Sequence, residues 1–207
     1  TYLLEAYDAQ ASVTYALNNG YTLIDTANVY VNERAVGRGI RASSKAREDI
    51  FLETKLWPSF FERETEVDET LERLGVEYID LMILHQPAGN IIAGYRQLEA
   101  AYEAGKIRAI GLSNFDVKQT QRILDECKVV PAINQVECHP YFPQAELKAL
   151  LKEHDIALQA WFPLGGRGND SIMGEALIQA IAEKYGKSPA QVILRWHIQQ
   201  GHIVIPG

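Results

Sequence analysis

Short apolar runs, rich in β-branched residues, alternate along this chain with longer stretches of helical amphipathic spacing. The runs occupy residues 22–27 (TLIDTA), 50–56 (IFLETKL), 81–85 (LMILH), 109–114 (AIGLSN), 132–137 (AINQVE), 157–162 (ALQAWF) and 203–205 (IVI). Their near-continuous hydrophobicity is that of strands covered on both faces, as parallel sheets are. The stretches between them carry helix-end signals. Leu71 and Leu74 precede Gly75; Leu98, Ala101 and Tyr102 precede Gly105; Ala182 and Tyr185 precede Gly186. A glycine in each of these places can take the left-handed conformation that closes a helix. Ser188-Pro189 opens another helix, with a side-chain oxygen at the cap and proline at the first helical position. Leu147, Leu150 and Leu151 form one helical stripe, and a first helix is expected over residues 8–19.

Each strand-plus-helix unit takes about 25–30 residues, and the alternation is unbroken. Parallel strands need right-handed crossovers, so the pattern predicts a doubly wound sheet or a closed barrel. Seven strands of one kind with no second domain favour the barrel, as one domain over residues 1–207. A closed barrel has eight strands. The reading is therefore an α/β fold, a (β/α)₈ barrel lacking its first strand before Thr1 and its C-terminal segment after Gly207.

Composition narrows the function. Apolar residues make up 47% and charged residues 23% of 207, enough for a packed core. The formal charge is −7, with acids and bases interspersed, which argues against a nucleic-acid surface. No run of 18 apolar residues predicts a membrane span, and the first residues do not read as a secretory signal. Cys127 and Cys138 form neither a disulfide framework nor a metal knuckle, and His139 and His154 lie on different elements, so no metal set is predicted. A reduced, cytoplasmic monomer is the expectation.

In a barrel of this kind, loops after the strands build the active site. Asp25 and Tyr30 follow the first run, Lys55 ends the second and His85 ends the third. Each has a plain structural reading: an Asp25–Lys55 ion pair, a barrel-mouth His85, a loop aromatic Tyr30. Together, on three adjacent strand ends, they suit proton transfer to a developing alkoxide. A phenol of pKa about 10 is a weak acid at neutral pH, and an adjacent ammonium is expected to lower that value. Asp25 would hold Lys55 charged, and a neutral His85 would donate to a carbonyl oxygen. A second set, Ser113, Asn114, Gln135 and Trp161, offers donors and acceptors, as a carboxamide demands, and a flat ring that can stack on an aromatic one. Here too Asn114 as a cap for a helix from Asp116, and Trp161 as core packing, stand as alternatives.

These residues sit in recognisable blocks. Ile24-Asp25-Thr26-Ala27 with Tyr30, Asn32-Glu33 and Val36-Gly37 resembles the first aldo-keto reductase signature. Lys55-Leu56-Trp57, Tyr78-Ile79-Asp80-Leu81, His85-Gln86-Pro87, the stretch 105–115 (GKIRAIGLSNF) and Asn134-Gln135-Val136-Glu137-Cys138-His139-Pro140 are similar to later blocks, in order. The resemblance implies an NADPH-dependent reductase of small aldehydes and ketones, with NADH as the alternative cofactor. It implies Asp25, Tyr30, Lys55 and His85 as the catalytic tetrad, with Tyr30 as general acid. Ser113, Asn114, Gln135, Trp161, Leu164, Gly166 and Thr1 would touch cofactor; Tyr2, Trp57 and His85 would line the substrate pocket. Two departures stand out. Trp161-Phe162 replaces the family's usual Tyr-Ser, and Ile205-Pro206-Gly207 replaces a basic continuation that would grip a 2′-phosphate. Gly37-Arg38-Gly39 falls within a helix pattern and is not a dinucleotide fingerprint. The competing functional readings are a non-catalytic cofactor-binding barrel and an inactive trimmed one.

Overall fold

The computed structural model of the chain describes residues 1–165 and 171–206. They fall into two units, Thr1–Ser113 with Gln119–Pro131, and Asn114–Lys118 with Ala132–Gly207.

The first unit contains four strands, β1 (Leu23–Asp25), β2 (Phe51–Leu56), β3 (Leu81–Leu84) and β4 (Ile110–Ser113). With them go helices α1 (Ala6–Asn18), α2 (Glu33–Ala42), α3 (Glu66–Leu74) and α4 (Ile91–Glu103), and α5 (Val117–Glu126) from Gln119 onward. All pairings are parallel: Asp25 lies opposite Glu53, Lys55 opposite Ile83, and Ile83 opposite Gly111. Each strand thus pairs with its neighbour in the chain, the singly wound order of a barrel rather than the reversed order of a doubly wound sheet.

The strands are buried on both faces, as their runs predict. In β2, Leu52, Thr54 and Leu56 point one way while Glu53 and Lys55 point the other, and all five are buried. Gly75 ends α3 in the left-handed conformation at φ 66°. Helix α1 begins at Ala6, two residues before the expected start. Gly37 lies within α2, and a Cβ there would come 1.8 Å from the Leu74 carbonyl oxygen. One from Gly39 would come 2.8 Å from Val13 Cβ. The two glycines let α1, α2 and α3 approach one another.

The second unit contains β5 (Ile133–Glu137), β6 (Ala157–Trp161) and β7 (Ile203–Val204). Its helices are α6 (Ala145–Glu153), α7 (Ser171–Gly174), α8 (Ala176–Tyr185) and α9 (Pro189–Gln199). The strands are again parallel and in chain order, with Gln135 opposite Gln159 and Gln159 opposite Ile203. Gly186 closes α8 at φ 60°, and Ser188 opens α9 with a reciprocal cap. Its Oγ accepts from Gln191 N at 3.2 Å, and its own N donates to Gln191 Oε1 at 2.9 Å. Among the described residues no helix is long and apolar enough to cross a membrane.

Candidate active site

Asp25 is the last residue of β1, and the chain then turns through the 3₁₀ segment Asn28–Tyr30. Val31 caps that segment in the left-handed conformation at φ 58°. Lys55 is the penultimate residue of β2, and His85 directly follows β3. Three adjacent strand ends therefore converge as the spacing predicts.

Lys55 is buried and forms an ion pair with Asp25; its Nζ also donates to the Thr26 carbonyl at 2.9 Å. The ammonium stands 5.2 Å from the centroid of the Tyr30 ring. The rings of Tyr30 and His85 lie edge to face with centroids 5.7 Å apart. Trp57 meets His85 in the same manner at 5.1 Å, and Tyr2 meets Tyr30 at 5.3 Å. Tyr2, Trp57, Tyr30 and His85 are thus one aromatic cluster. The Thr1 hydroxyl donates to Oγ1 of Thr26, the residue whose carbonyl accepts from Lys55, at 2.8 Å.

Burial tends to neutralise a charged group and a partner of opposite charge tends to keep it ionised. For Asp25, burial pushes upward, but Lys55 and hydrogen bonding from Glu53 bring the carboxyl down to about 2. For Lys55, burial pulls downward and Asp25 and Tyr30 more than compensate, so the amine is raised. His85 is lowered to about 4, first by burial and then by Lys55, which leaves a neutral imidazole at neutral pH.

Tyr30 departs from expectation. Its pKa is raised, not lowered, because burial of the phenolate outweighs the opposing Lys55 charge and hydrogen bond. The adjacent cation alone would lower it; the cost of desolvating the phenolate is the larger effect.

Glu53 did not stand out in the sequence. This residue lies two before Lys55 on β2, hence on the same face, and is fully buried. Opposite Asp25 in the strand register, it hydrogen-bonds that carboxylate. The period-two alternation of FLETKL was the available signal.

The residues matched to cofactor fall mainly in the second unit. Ser113 ends β4 in the first and is buried. Asn114 adopts φ 65°, and its Oδ1 accepts the Trp161 indole N–H at 2.9 Å. Gln135 is buried on β5, and its Nε2 donates to Gln159 Oε1 at 2.8 Å. Trp161 is half-buried at the end of β6, and Leu164 is in the turn that follows. Gly166 lies outside the described residues. The donor set fits a nicotinamide. Two carboxamides provide donors and acceptors, and a tryptophan whose N–H is already engaged has its ring plane fixed for stacking.

Comparison with known proteins places the chain in a family. A family model described as the aldo/keto reductase family matches residues 4–171. The chain is 42% identical to 2,5-diketo-D-gluconic acid reductase B of Corynebacterium sp. (strain SHS752001), over 100% of this chain and 76% of that protein. It is also 42% identical to the glyoxal reductase of Bacillus subtilis (strain 168), over 96% of this chain and 72% of the relative. Among solved structures, an aldo/keto reductase from Brucella melitensis superimposes with TM-score 0.92 at 42% identity, covering 98% of this chain and 79% of that one. An aldo-keto reductase from a Medee basin deep-sea metagenome library gives TM-score 0.95 at 37% identity, covering 99% and 77%. The fold is the α/β barrel of these enzymes, represented here by seven parallel strands among the described residues.

Proposed function

The chain belongs to the aldo/keto reductase family, and from that premise we propose that it reduces small aldehydes and ketones to alcohols at the Asp25–Tyr30–Lys55–His85 site, with NADPH as cofactor. The observation that carries the reading is the buried Lys55 placed between the Asp25 carboxylate and the Tyr30 ring.

When bound, the reduced nicotinamide supplies the hydride that reaches the carbonyl carbon. Asn114, Gln135 and Trp161 would hold its ring, with Ser113 and Thr1 as further contacts. His85, neutral with its pKa near 4, donates a hydrogen bond to the carbonyl oxygen and holds it for protonation. Tyr30 gives its proton to that oxygen as it becomes an alkoxide. The upward shift of Tyr30 is compatible with this role. The phenol stays protonated at neutral pH, and an alkoxide is a far stronger base than a phenolate. Lys55 then stabilises the phenolate that the transfer leaves behind, and Asp25 keeps Lys55 charged and oriented. Tyr2 and Trp57 supply an aromatic wall suited to small substrates.

Tyr30→Phe tests the assignment. A positioned acid contributes about 10²–10⁴-fold, so turnover of a panel of small aldehydes should fall by at least about 100-fold. NADPH affinity, read by fluorescence titration, should change by less than about twofold, since the phenol contributes no uniform binding. Wild-type turnover in this variant removes Tyr30 from the mechanism. A large loss of cofactor affinity would assign it to binding instead.

A further inference from the structure

The second unit contains a cluster of donor side chains that the reductase chemistry does not use. Cys138 follows β5, His197 lies in α9 and His202 directly precedes β7, and all three are buried. Cys138 Sγ lies 3.9 Å from His202 Nδ1, and His202 Nδ1 lies 3.2 Å from His197 Nδ1. The three ligand-capable atoms fall within 4.8 Å of one another.

We propose that Cys138, His197 and His202 form a metal site for a borderline-soft divalent ion, zinc above all, that staples the end of β5, α9 and the start of β7.

The donor chemistry is the first support. One thiol and two imidazoles are the ligand classes that zinc takes, and no carboxylate is among them to favour calcium or magnesium. The spacing is the second. A tetrahedral ion with bonds of about 2.0–2.1 Å to nitrogen and about 2.3 Å to sulfur sets its ligands about 3.3 Å apart for N···N and about 3.6 Å for N···S. The observed 3.2 Å and 3.9 Å are close to two of those edges, and the third pair, Cys138 and His197, lies within 4.8 Å and closes up when the ion enters.

The orientation of His197 is the third. Its Nε2 stands 3.0 Å from the Pro163 carbonyl oxygen, an acceptor only, so Nε2 carries the proton. That leaves the Nδ1 lone pair directed at the cluster. A backbone carbonyl holding the outer N–H is how metal-binding imidazoles are generally fixed. Trp196 packs edge-on against both imidazoles, with ring centroids 4.7 and 5.8 Å away.

Entry of the ion displaces the thiol proton, so one proton is released for each thiolate–metal bond formed. Three protein ligands leave one coordination position for water. The competing arrangement has no metal and a single proton on His202 Nδ1, donated to His197 Nδ1.

The two are distinguished by titrating the untagged, metal-stripped chain with Co²⁺, a spectroscopic stand-in for zinc. The site predicts about one equivalent bound, intense visible bands of tetrahedral cobalt and a thiolate-to-cobalt charge-transfer band in the near ultraviolet, all displaced by one equivalent of Zn²⁺. Cys138→Ser should abolish the charge-transfer band, and His202→Asn should weaken binding at least about tenfold. Cys127→Ser should leave the titration unchanged. Failure of the wild-type chain to give the thiolate band overturns the proposal without reference to the folding of any variant. So does a band that survives Cys138→Ser or disappears with Cys127→Ser.

Discussion

Burial and the Lys55 charge combine differently at each ionisable group around that ammonium. At Asp25 the ammonium prevails, at Tyr30 the desolvation prevails, and at His85 burial and Lys55 act in the same direction. The His85 result has a consequence for acid stability. The folded imidazole titrates near 4, whereas a free one titrates near 6.5, with Lys55 lowering it and Asp25 only partly opposing. Between those values the unfolded chain binds a proton that the folded chain refuses. The stabilisation from a neutral His85 is thus complete above pH 6.5 and is lost as pH falls toward 4. The loss is on the order of 3 kcal/mol at most. In His85→Gln the slope of stability against pH should be shallower across this window, by as much as about one bound proton. Urea denaturation of both forms from pH 7 to pH 4 measures the difference. Parallel curves would show that the folded imidazole protonates freely.

At the scale of elements, Gly37 sets how closely α2 meets α3. Replacing glycine with alanine inside a helix ordinarily stabilises by about 0.5–1 kcal/mol. Here the added Cβ would meet a backbone carbonyl at 1.8 Å, which no rotamer change relieves. Overpacking costs about 1–3 kcal/mol, so Gly37→Ala should be net destabilising. Gly174→Ala, where a Cβ meets nothing within 4 Å, is the matched control and should be near neutral. Thermal unfolding of the two variants side by side decides it, and an unchanged midpoint for Gly37→Ala would mean that α2 and α3 are free to separate. The same helix illustrates what the sequence made legible. Gly37-Arg38-Gly39 was readable as part of a helix pattern rather than as a dinucleotide fingerprint, because helical periodicity is a local property. The seven strands were readable for the same reason. The partner of each glycine was not, since Leu74 and Val13 are distant in sequence.

For the molecule as a whole, the candidate site divides along that same line. Asp25, Lys55 and His85 were legible as candidates because each sits at the end of a strand that announces itself, and Tyr30 because it lies in the loop after the first. Glu53 was overlooked within a run read as apolar, and Cys138, His197 and His202 share no spacing that singles them out. The direction of the Tyr30 shift depended on burial, which a linear sequence does not display. Net charge, by contrast, is a global quantity that sequence states outright, and the structure sharpens it. The formal charge of −7 includes 20 basic residues. At least five of them face carboxylates: Arg47 and Arg108 share Asp80, Arg73 bridges Glu33 and Glu66, Arg63 binds Glu69, and Lys106 binds Asp68. Cations so paired cannot align into a stripe that replaces the counterions of a nucleic acid, which is what drives such binding. The chain should therefore pass through a heparin column at about 50 mM salt and be retained by an anion exchanger, the Debye length there being well over 10 Å. Retention on heparin that needs more than about 200 mM salt for release would reveal a basic surface that this pairing conceals.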